Sequence, residues 1–196
     1  LNPVNDDCAN AILLNCGQTV TGNTTTATLD GPPTSCPGGS VAPDVWYRVT
    51  GTGANITATL CGSAYDTKVD IYTGTCGALT CVGGNDDNFC GAVFTLQSTF
   101  TWATTAGTTY YVRVHGFAGG TGAFTLNIAC QPVNDLCANA ININCGQSLA
   151  GTTVAGTIDA VPFCGFAVSA PGVWYTFIGS GGIETVSTCA GASFDT

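Results

Sequence analysis

The chain has 196 residues and a formal net charge of −9, from 3 Lys and Arg against 12 Asp and Glu. Nucleic acid and anionic membrane surfaces are therefore poor partners, because both require a cationic face. No apolar run is long enough for a transmembrane helix, and no signal-peptide pattern precedes the first motif, so we expect Leu1 to begin a processed or excised segment. Abundant Thr, Ala, Val, Asn and Gly with no Met indicate an extracellular β protein.

In chain order, segments of alternating apolar and polar residues predict eight or nine short strands. The run 11–14 is either a strand or a single turn, and a loop rich in Gly and Pro follows at 30–43. No window has helical periodicity. We therefore predict an all-β fold, an antiparallel, jelly-roll-like β-sandwich. The predicted strands span 18–29, 44–50, 54–60, 69–72, 79–82, 93–103, 108–115 and 123–129.

Much of the sequence occurs twice. Residues 5–11 recur at 134–140, and the offsets between matching residues are 137 − 8 = 129 for cysteine and 174 − 46 = 128 for tryptophan. Such an offset indicates tandem domains rather than solenoid units. We predict a complete domain at 1–130 and the N-terminal half of a second copy at 131–196, which is either continued by further chain or completed by strands of another subunit.

Twelve cysteines in so short a chain indicate disulfides and an oxidising compartment. A zinc site is the rival interpretation, but paired CxxC motifs are absent and His115 is the single histidine. Spacing leaves the connectivity open. In the first copy we predict the pairs Cys76–Cys81, Cys61–Cys90, Cys16–Cys36 and Cys8–Cys130. The partial copy contributes Cys137, Cys145, Cys164 and Cys189.

Five motifs follow one another along the chain: Asn5-Asp6, Asp44-Val45-Trp46-Tyr47, Tyr65-Asp66-Thr67, Asn85-Asp86-Asp87 and Tyr110-Tyr111-Val112-Arg113-Val114. Their order resembles the pre-peptidase C-terminal (PPC) domain family, in its cysteine-rich tandem form. The resemblance covers 4–129 and 133–196, although the chain lacks the glutamate that often precedes the Asn-Asp opening. It implies a jelly-roll-like sandwich without catalytic activity, in secreted or surface proteins of bacteria.

Calcium is the predicted cofactor, because Ca²⁺ takes six to eight oxygen ligands from carboxylates, amides and carbonyls. The alternative interpretation is turn chemistry, since Asn and Asp side chains also cap their own loops. Two clusters qualify: Asp66 with Asn85, Asp86 and Asp87, and Asn5-Asp6 with Asp44.

Catalysis is not expected. The single histidine, His115, precedes a Gly turn and is predicted to lie at the surface, and no Gly-x-Ser-x-Gly motif accompanies it. Exposed aromatic side chains could instead bind sugar. The candidates are Trp102, Tyr110, Tyr111 and Phe117.

Two functions remain open. The first is a non-catalytic repeat module of an extracellular fibre, stalk or adhesin, whose partners are neighbouring copies of the same protein. The alternative is an accessory module that binds a polysaccharide or another surface ligand for a secreted enzyme. Both predict an extracellular or cell-surface location.

Overall fold

The structure is a computed structural model and describes residues 1–31, 36, 42–161 and 169–188. Eleven strands lie between residues 12 and 130, and two short ones follow. They are β1 (Ile12–Leu13), β2 (Thr19–Asn23), β3 (Val45–Thr50), β4 (Asn55–Thr59), β5 (Thr67–Thr75), β6 (Ala78–Asn85), β7 (Asn88–Cys90), β8 (Val93–Thr95), β9 (Thr99–Ala103), β10 (Thr109–Gly116), β11 (Ala123–Cys130), β12 (Ile141–Asn142) and β13 (Tyr175–Thr176). Within the described ranges, helix is limited to 3-10 turns at Cys8–Asn10, Phe117–Gly119 and Cys137–Asn139.

Two sheets face each other. The front sheet has the order β1-β3-β10-β5-β6 and the back sheet the order β2-β11-β4-β9. Inward side chains of both sheets form one core, in which Ile71, Val112 and Leu126 are fully buried. Alternating side chains supply this core because successive residues of a strand point to opposite faces. The predicted all-β, disulfide-rich sandwich is therefore confirmed.

The strands differ from prediction in two places. The run 93–103 is divided into β8 and β9, because Ser98 between them donates its backbone N–H to the side chain of Thr67. The short β1 pairs with β3 in parallel, whereas the other pairs of the two sheets are antiparallel. Neither difference changes the layers. Among the described residues, no helix is long and apolar enough to cross a bilayer.

The outer face of the front sheet is covered as well. Trp46 and Tyr72 project from this face and are buried together with Cys8 and Cys36 in a second apolar cluster. Cys8 belongs to the opening segment, defined here as residues 5–11, and Cys36 to the loop before β3. The front sheet is therefore buried on both sides, which a sandwich of two sheets does not require.

Four disulfides close the first copy: Cys8–Cys76, Cys16–Cys130, Cys36–Cys81 and Cys61–Cys90. Only Cys61–Cys90 is a predicted pair. The hairpin clip Cys76–Cys81 was wrong, because β5 and β6 pair Tyr72 with Cys81. That register separates Cys81 from the turn by about four residues, or roughly 13 Å, and a disulfide needs Cα atoms within about 7 Å.

The pairs Cys16–Cys36 and Cys8–Cys130 were also wrong. Cys16 precedes β2, and the antiparallel register of β2 with β11 continues until it brings Cys16 opposite Cys130. Cys8 and Cys36 instead lie over the outer face of the front sheet, where β5 and β6 present their partners. Two disulfides therefore attach the covering segments to the sheet that they cover.

In the second copy, β12 pairs with β13 in parallel, as β1 pairs with β3. Cys137 and Cys145 are exposed free thiols among the described residues, contrary to the predicted disulfides. Cys164 and Cys189 lie outside the described residues.

Candidate functional site

Three aspartates meet at one end of the β5–β6 pair. Asp66 immediately precedes β5, and the register that pairs Val69 with Asn85 brings Asp86 and Asp87 back beside it. One carboxylate oxygen from each lies within 4.8 Å of the others. The structure thus brings together three of the four residues of the first predicted calcium cluster. Asn85 is separate, because its Oδ1 accepts a hydrogen bond from the backbone of Thr99 at 3.1 Å.

The triad Asp66, Asp86 and Asp87 concentrates negative charge on shielded oxygens. The Oδ1 atom of each is buried and has no hydrogen-bond donor among the described residues. Partial burial raises the pKa of Asp66, and the carboxylates of Asp86 and Asp87 raise it further. One cation is already present, since the Lys68 ammonium lies 3.1 Å from Asp86. A divalent cation with an oxygen preference would relieve the remaining repulsion.

The second predicted calcium cluster, Asn5, Asp6 and Asp44, is not assembled as a ligand set. Asn5 donates to the carbonyl of Trp46 at 2.9 Å, and Asp6 accepts from the backbone and hydroxyl of Thr28 at 2.6 and 2.8 Å. Asp44 accepts hydrogen bonds from Arg113 instead. The side chains of Asn5 and Asp6 are therefore already engaged in hydrogen bonds within the protein. They form a clamp that holds the opening segment on β3 and on the following loop.

The second copy has the same clamp. Asn134 donates to the carbonyl of Trp174 at 2.9 Å, and Asp135 accepts from the backbone and hydroxyl of Thr157, each at 2.6 Å. Both tryptophan indoles donate to an aspartate of the loop, Trp46 to Asp30 and Trp174 to Asp159. Repetition of these contacts explains why the Asn-Asp motif recurs in the sequence.

A buried ion network lies on the outer face of the front sheet, and the sequence did not predict it. Arg113 donates twice to Asp44, at 3.0 and 2.7 Å, and its other nitrogen lies 3.5 Å from Asp70. All three side chains are almost inaccessible to solvent. Gly31 has no room for a side chain, because the guanidinium of Arg113 lies against it. The network fixes the loop to the sheet through charge as well as through disulfides.

Burial dominates the titration of this network. It raises the pKa of Asp44 to about 7, with Asp30 adding to the increase and Arg113 opposing it. Burial alone would lower the pKa of Arg113, but the charge and hydrogen bonds of Asp44, together with the charges of Tyr72 and Asp70, outweigh that effect and raise the pKa. A group that loses hydration favours its neutral form, whereas an adjacent opposite charge favours ionisation. Asp44 and Arg113 therefore depend on each other for their charge.

His115 was wrongly predicted to lie at the surface. It is fully buried, and its Nε2 lies 3.0 Å from Asp70, which also accepts from the hydroxyl of Tyr72. Burial lowers the pKa of His115, although Asp70 opposes the change. A histidine and an aspartate are thus in contact, but no substrate could reach them. The pair is part of the buried packing on the outer face of the front sheet.

The predicted sugar-binding aromatics are mostly internal. Trp102 and Tyr110 are buried in the core, and Tyr111 packs against the second apolar cluster. Phe117 is half exposed, with the ammonium of Lys68 over its ring at 5.6 Å. The most exposed aromatic pair is on the β7–β8 hairpin, where Phe89 and Phe94 are 58% and 56% accessible and 5.4 Å apart.

Comparison with known proteins adds little beyond the fold. No family model matches the sequence, and no curated protein matches it. Among solved structures, the pre-peptidase C-terminal domain of a Bacillus anthracis collagenase matches over 60% of this chain and 93% of its own, with 12% identity and a TM-score of 0.39.

A second solved structure is the periplasmic inhibitor of g-type lysozyme from Aeromonas hydrophila. It matches over 62% of this chain and 96% of its own, with 11% identity and a TM-score of 0.40. A pre-peptidase C-terminal domain is thus among the matched structures. The TM-scores are below 0.5, so neither likeness supports a conclusion about function.

Proposed function

We propose that the chain is a non-catalytic repeat module of an extracellular bacterial surface protein, a fibre, stalk or adhesin built from tandem β-sandwiches. The observation that carries this proposal is the clamp. Asn5 and Asp6 in one copy, and Asn134 and Asp135 in the other, make the same hydrogen bonds at the same offset. Identical local structure at a domain-length interval is typical of modules strung along one chain.

Two further features support the proposal. The four disulfides place the chain in an oxidising compartment, outside the cytoplasm. The histidine and aspartates of the front-sheet network are buried: His115, Asp70 and Asp44 are at most 1% accessible. A general acid or base must lie within hydrogen-bond reach of its substrate, so this burial supports a non-catalytic module.

Imaging of cells that make the full-length parent protein tests the proposal. An antibody against residues 1–130 should label surface filaments or stalks with a regular repeat along their length. Labelling of isolated particles that carry an enzyme domain would overturn it in favour of an accessory module. A hydrolase assay on the purified chain is the second arm, and we expect no activity above that of an Arg113→Met variant.

We also propose that Asp66, Asp86 and Asp87 bind Ca²⁺. The bound ion would hold the start of β5 and the end of β6 together. The converging buried oxygens support this assignment. Extracellular calcium modules bind at about 10⁻⁴–10⁻³ M, so about 10 mM Ca²⁺ should stabilise the first copy by roughly 1–3 kcal/mol.

Differential scanning fluorimetry with Ca²⁺ or chelator measures this effect. We expect Asp87→Asn to abolish the calcium-dependent rise in melting temperature while leaving the calcium-free midpoint the same or slightly higher, since it relieves repulsion. Asp7→Asn, at an exposed carboxylate of the opening segment, is the matched control and should keep the full response. An unchanged midpoint in the wild type would exclude the site.

The accessory-module alternative has one observation in its favour, the exposed pair Phe89 and Phe94. Aromatic rings presented to solvent can pack against the apolar faces of sugars. Affinity electrophoresis in gels that contain a neutral polysaccharide tests this alternative. Retardation that a Phe89→Ala/Phe94→Ala variant loses would favour it, and equal mobility of both proteins would remove it.

A further inference from the structure

The outer face of the back sheet is a grid of small polar side chains. Alternate residues of its four strands point outward, and nearly all of them are Thr, Asn or Ala. The outward residues are Thr19, Thr21 and Asn23 on β2, Ala123, Thr125, Asn127 and Ala129 on β11, Asn55, Thr57 and Thr59 on β4, and Thr99, Thr101 and Ala103 on β9.

The grid is ordered across the strands. Strand register places Thr19, Asn127, Thr59 and Thr99 in one row. Asn127 donates to Thr19 at 2.8 Å, and the hydroxyls of Thr59 and Thr99 are 2.7 Å apart. Thr57 and Thr101 form a second hydroxyl pair, also at 2.7 Å. In each pair one O–H donates to the other oxygen, and the hydroxyl of Thr99 also lies 3.7 Å from the Sγ of Cys61.

This face is also free of charge in a strongly acidic molecule. The strands β2, β11, β4 and β9 contain no Asp, Glu, Lys or Arg, although residues 1–130 contain eight aspartates. Solvent-facing strands of antiparallel sheets usually use charged residues to prevent association. The eight aspartates all lie in the front sheet or in the loops: Asp6, Asp7, Asp30, Asp44, Asp66, Asp70, Asp86 and Asp87.

We propose that the back-sheet face is the contact surface between copies of this chain, two such faces packing against each other. This inference rests on the proposed function and identifies the partner as a second copy. Copies with a net charge of −9 repel each other, and the repulsion is least where the uncharged faces meet. Side chains as short as Thr, Asn and Ala let two sheets approach at the usual spacing of about 10 Å.

The size of the face sets the strength of the contact. Four strands at about 4.8 Å and five residues at about 3.3 Å give an outline of roughly 15 by 17 Å. A stable interface buries about 800 Å² on each partner, several times the area of that outline. A single pair of faces therefore associates weakly, and tandem copies along two chains would strengthen the contact through effective concentration.

Salt provides the first test, on the full 196-residue chain. Sedimentation equilibrium at about 0.1–1 mM protein should show association that strengthens several-fold when salt rises from about 20 to 300 mM, because screening removes repulsion between copies. An interface made of ion pairs would weaken instead. A chain that stays monomeric at both salt concentrations overturns the inference.

Charge reversal provides the second test. Thr21→Glu/Thr101→Glu and Thr21→Lys/Thr101→Lys, at exposed positions on opposite edges of the face, should each weaken self-association at least tenfold at 300 mM salt. An equimolar mixture of the two variants should associate at least as strongly as the wild type. Loss of folding cannot produce that recovery. Thr75→Glu/Thr80→Glu, on the exposed β5–β6 hairpin, adds the same charge elsewhere and should stay within about twofold of the wild type.

Three results would overturn the inference: association that the face variants leave unchanged, a mixture that does not recover, or retention by a neutral polysaccharide without self-association. The outcome is separable from that of the proposed function. Labelled surface filaments together with a monomeric chain would remove only this interface, whereas self-association without filaments would remove the fibre and keep the interface.

Discussion

The opening segments of the two copies have the same hydrogen bonds but different surroundings. Trp46 is fully buried in the first copy, whereas Trp174 is half-buried in the second. Cys8 is cross-linked and Cys137 is an exposed thiol. The second copy also has Gly172 where the first has Asp44. The clamp is therefore determined by residues within about 40 positions of each other, and the deeper burial of Trp46 comes from its cluster with Cys8, Cys36 and Tyr72.

The largest effect should come from removing the buried charge of Arg113. Arg113→Met leaves Asp44 and Asp70 buried beside an apolar side chain, and breaking a buried ion pair typically costs about 3–5 kcal/mol. Urea unfolding followed by tryptophan fluorescence measures this loss. Arg48→Met is the matched control, because Arg48 is exposed on β3, and it should change stability by less than about 0.5 kcal/mol.

Removing the cross-link should make the first opening segment resemble the second. Cys8→Ser/Cys76→Ser opens a loop with a sequence separation of 68, and loss of such a disulfide costs roughly 2–4 kcal/mol. The clamp itself should survive, since Asn134 and Asp135 form theirs without a cross-link. Hydrogen exchange at the amide of Trp46 reports whether the clamp is formed. Complete loss of protection there, in a chain that is still folded, would show that the disulfide makes the clamp.

Asp6→Ala and Asp135→Ala test the clamp directly in each copy. Burial alone would raise the pKa of Asp135, but hydrogen bonds from Thr157 and Gln131 outweigh it and lower the pKa. Each substitution removes the acceptor of two donors of an exposed threonine, which water can then satisfy, so we expect a loss of about 0.5–1.5 kcal/mol for each hydrogen bond. We expect faster exchange at the amide of Thr28 in the first variant and of Thr157 in the second, each by at least tenfold. Equal changes at both amides in either variant would contradict independent clamps.

The smallest effect is expected from pH, and it has a defined sign. The folded pKa of His115 is lower than the unfolded value of about 6.5. The unfolded state therefore binds more protons below pH 6.5, and stability falls as the pH decreases through that range. Asp44 opposes this trend, because its folded pKa of about 7 favours the folded state as the pH falls from about 7 towards 4.

A His115→Gln variant separates the two contributions, since glutamine can still donate to Asp70 but does not titrate. When the pH is lowered from 7.5 to 5, the change in the urea midpoint should be more negative in the wild type than in the variant. Lys68 and Arg113 also face the imidazole and disfavour its charged form. Identical pH dependence in both proteins would show that His115 is not the responsible group.

Sequence periodicity was sufficient for the strands and for the inter-sheet core. The alternation in 54–60 and 123–129 predicted β4 and β11 and their inward faces, because that signal is local. His115 was predicted to lie at the surface from its position before a Gly turn, and nothing in the pattern of β10 predicted the burial of Arg113. They are buried because residues distant in sequence cover them, and a strand's own pattern contains no information about such a cover.

The candidate site could likewise be predicted only as far as its residues are close in sequence or at the ends of neighbouring strands. Asp86 and Asp87 are adjacent in sequence, and Asp66 joined them through the expected closeness of two strand ends. Three of the four disulfides were wrong because separations of 45, 68 and 114 residues depend on the registers and on the covering segments. The sequence shows only that Thr and Asn are abundant. The strand order shows that they form rows across the back sheet.

The disulfide Cys16–Cys130 determines how the first copy responds to pulling. A force applied between Leu1 and Gln131 runs along residues 1–16, crosses the S–S bond and leaves at residue 130. The covalent path is then about 17 residues, roughly 60 Å when fully extended, instead of about 450 Å for the whole copy. The strands between carry no load. A chain of such modules can lengthen only a little under tension while its sheets stay intact.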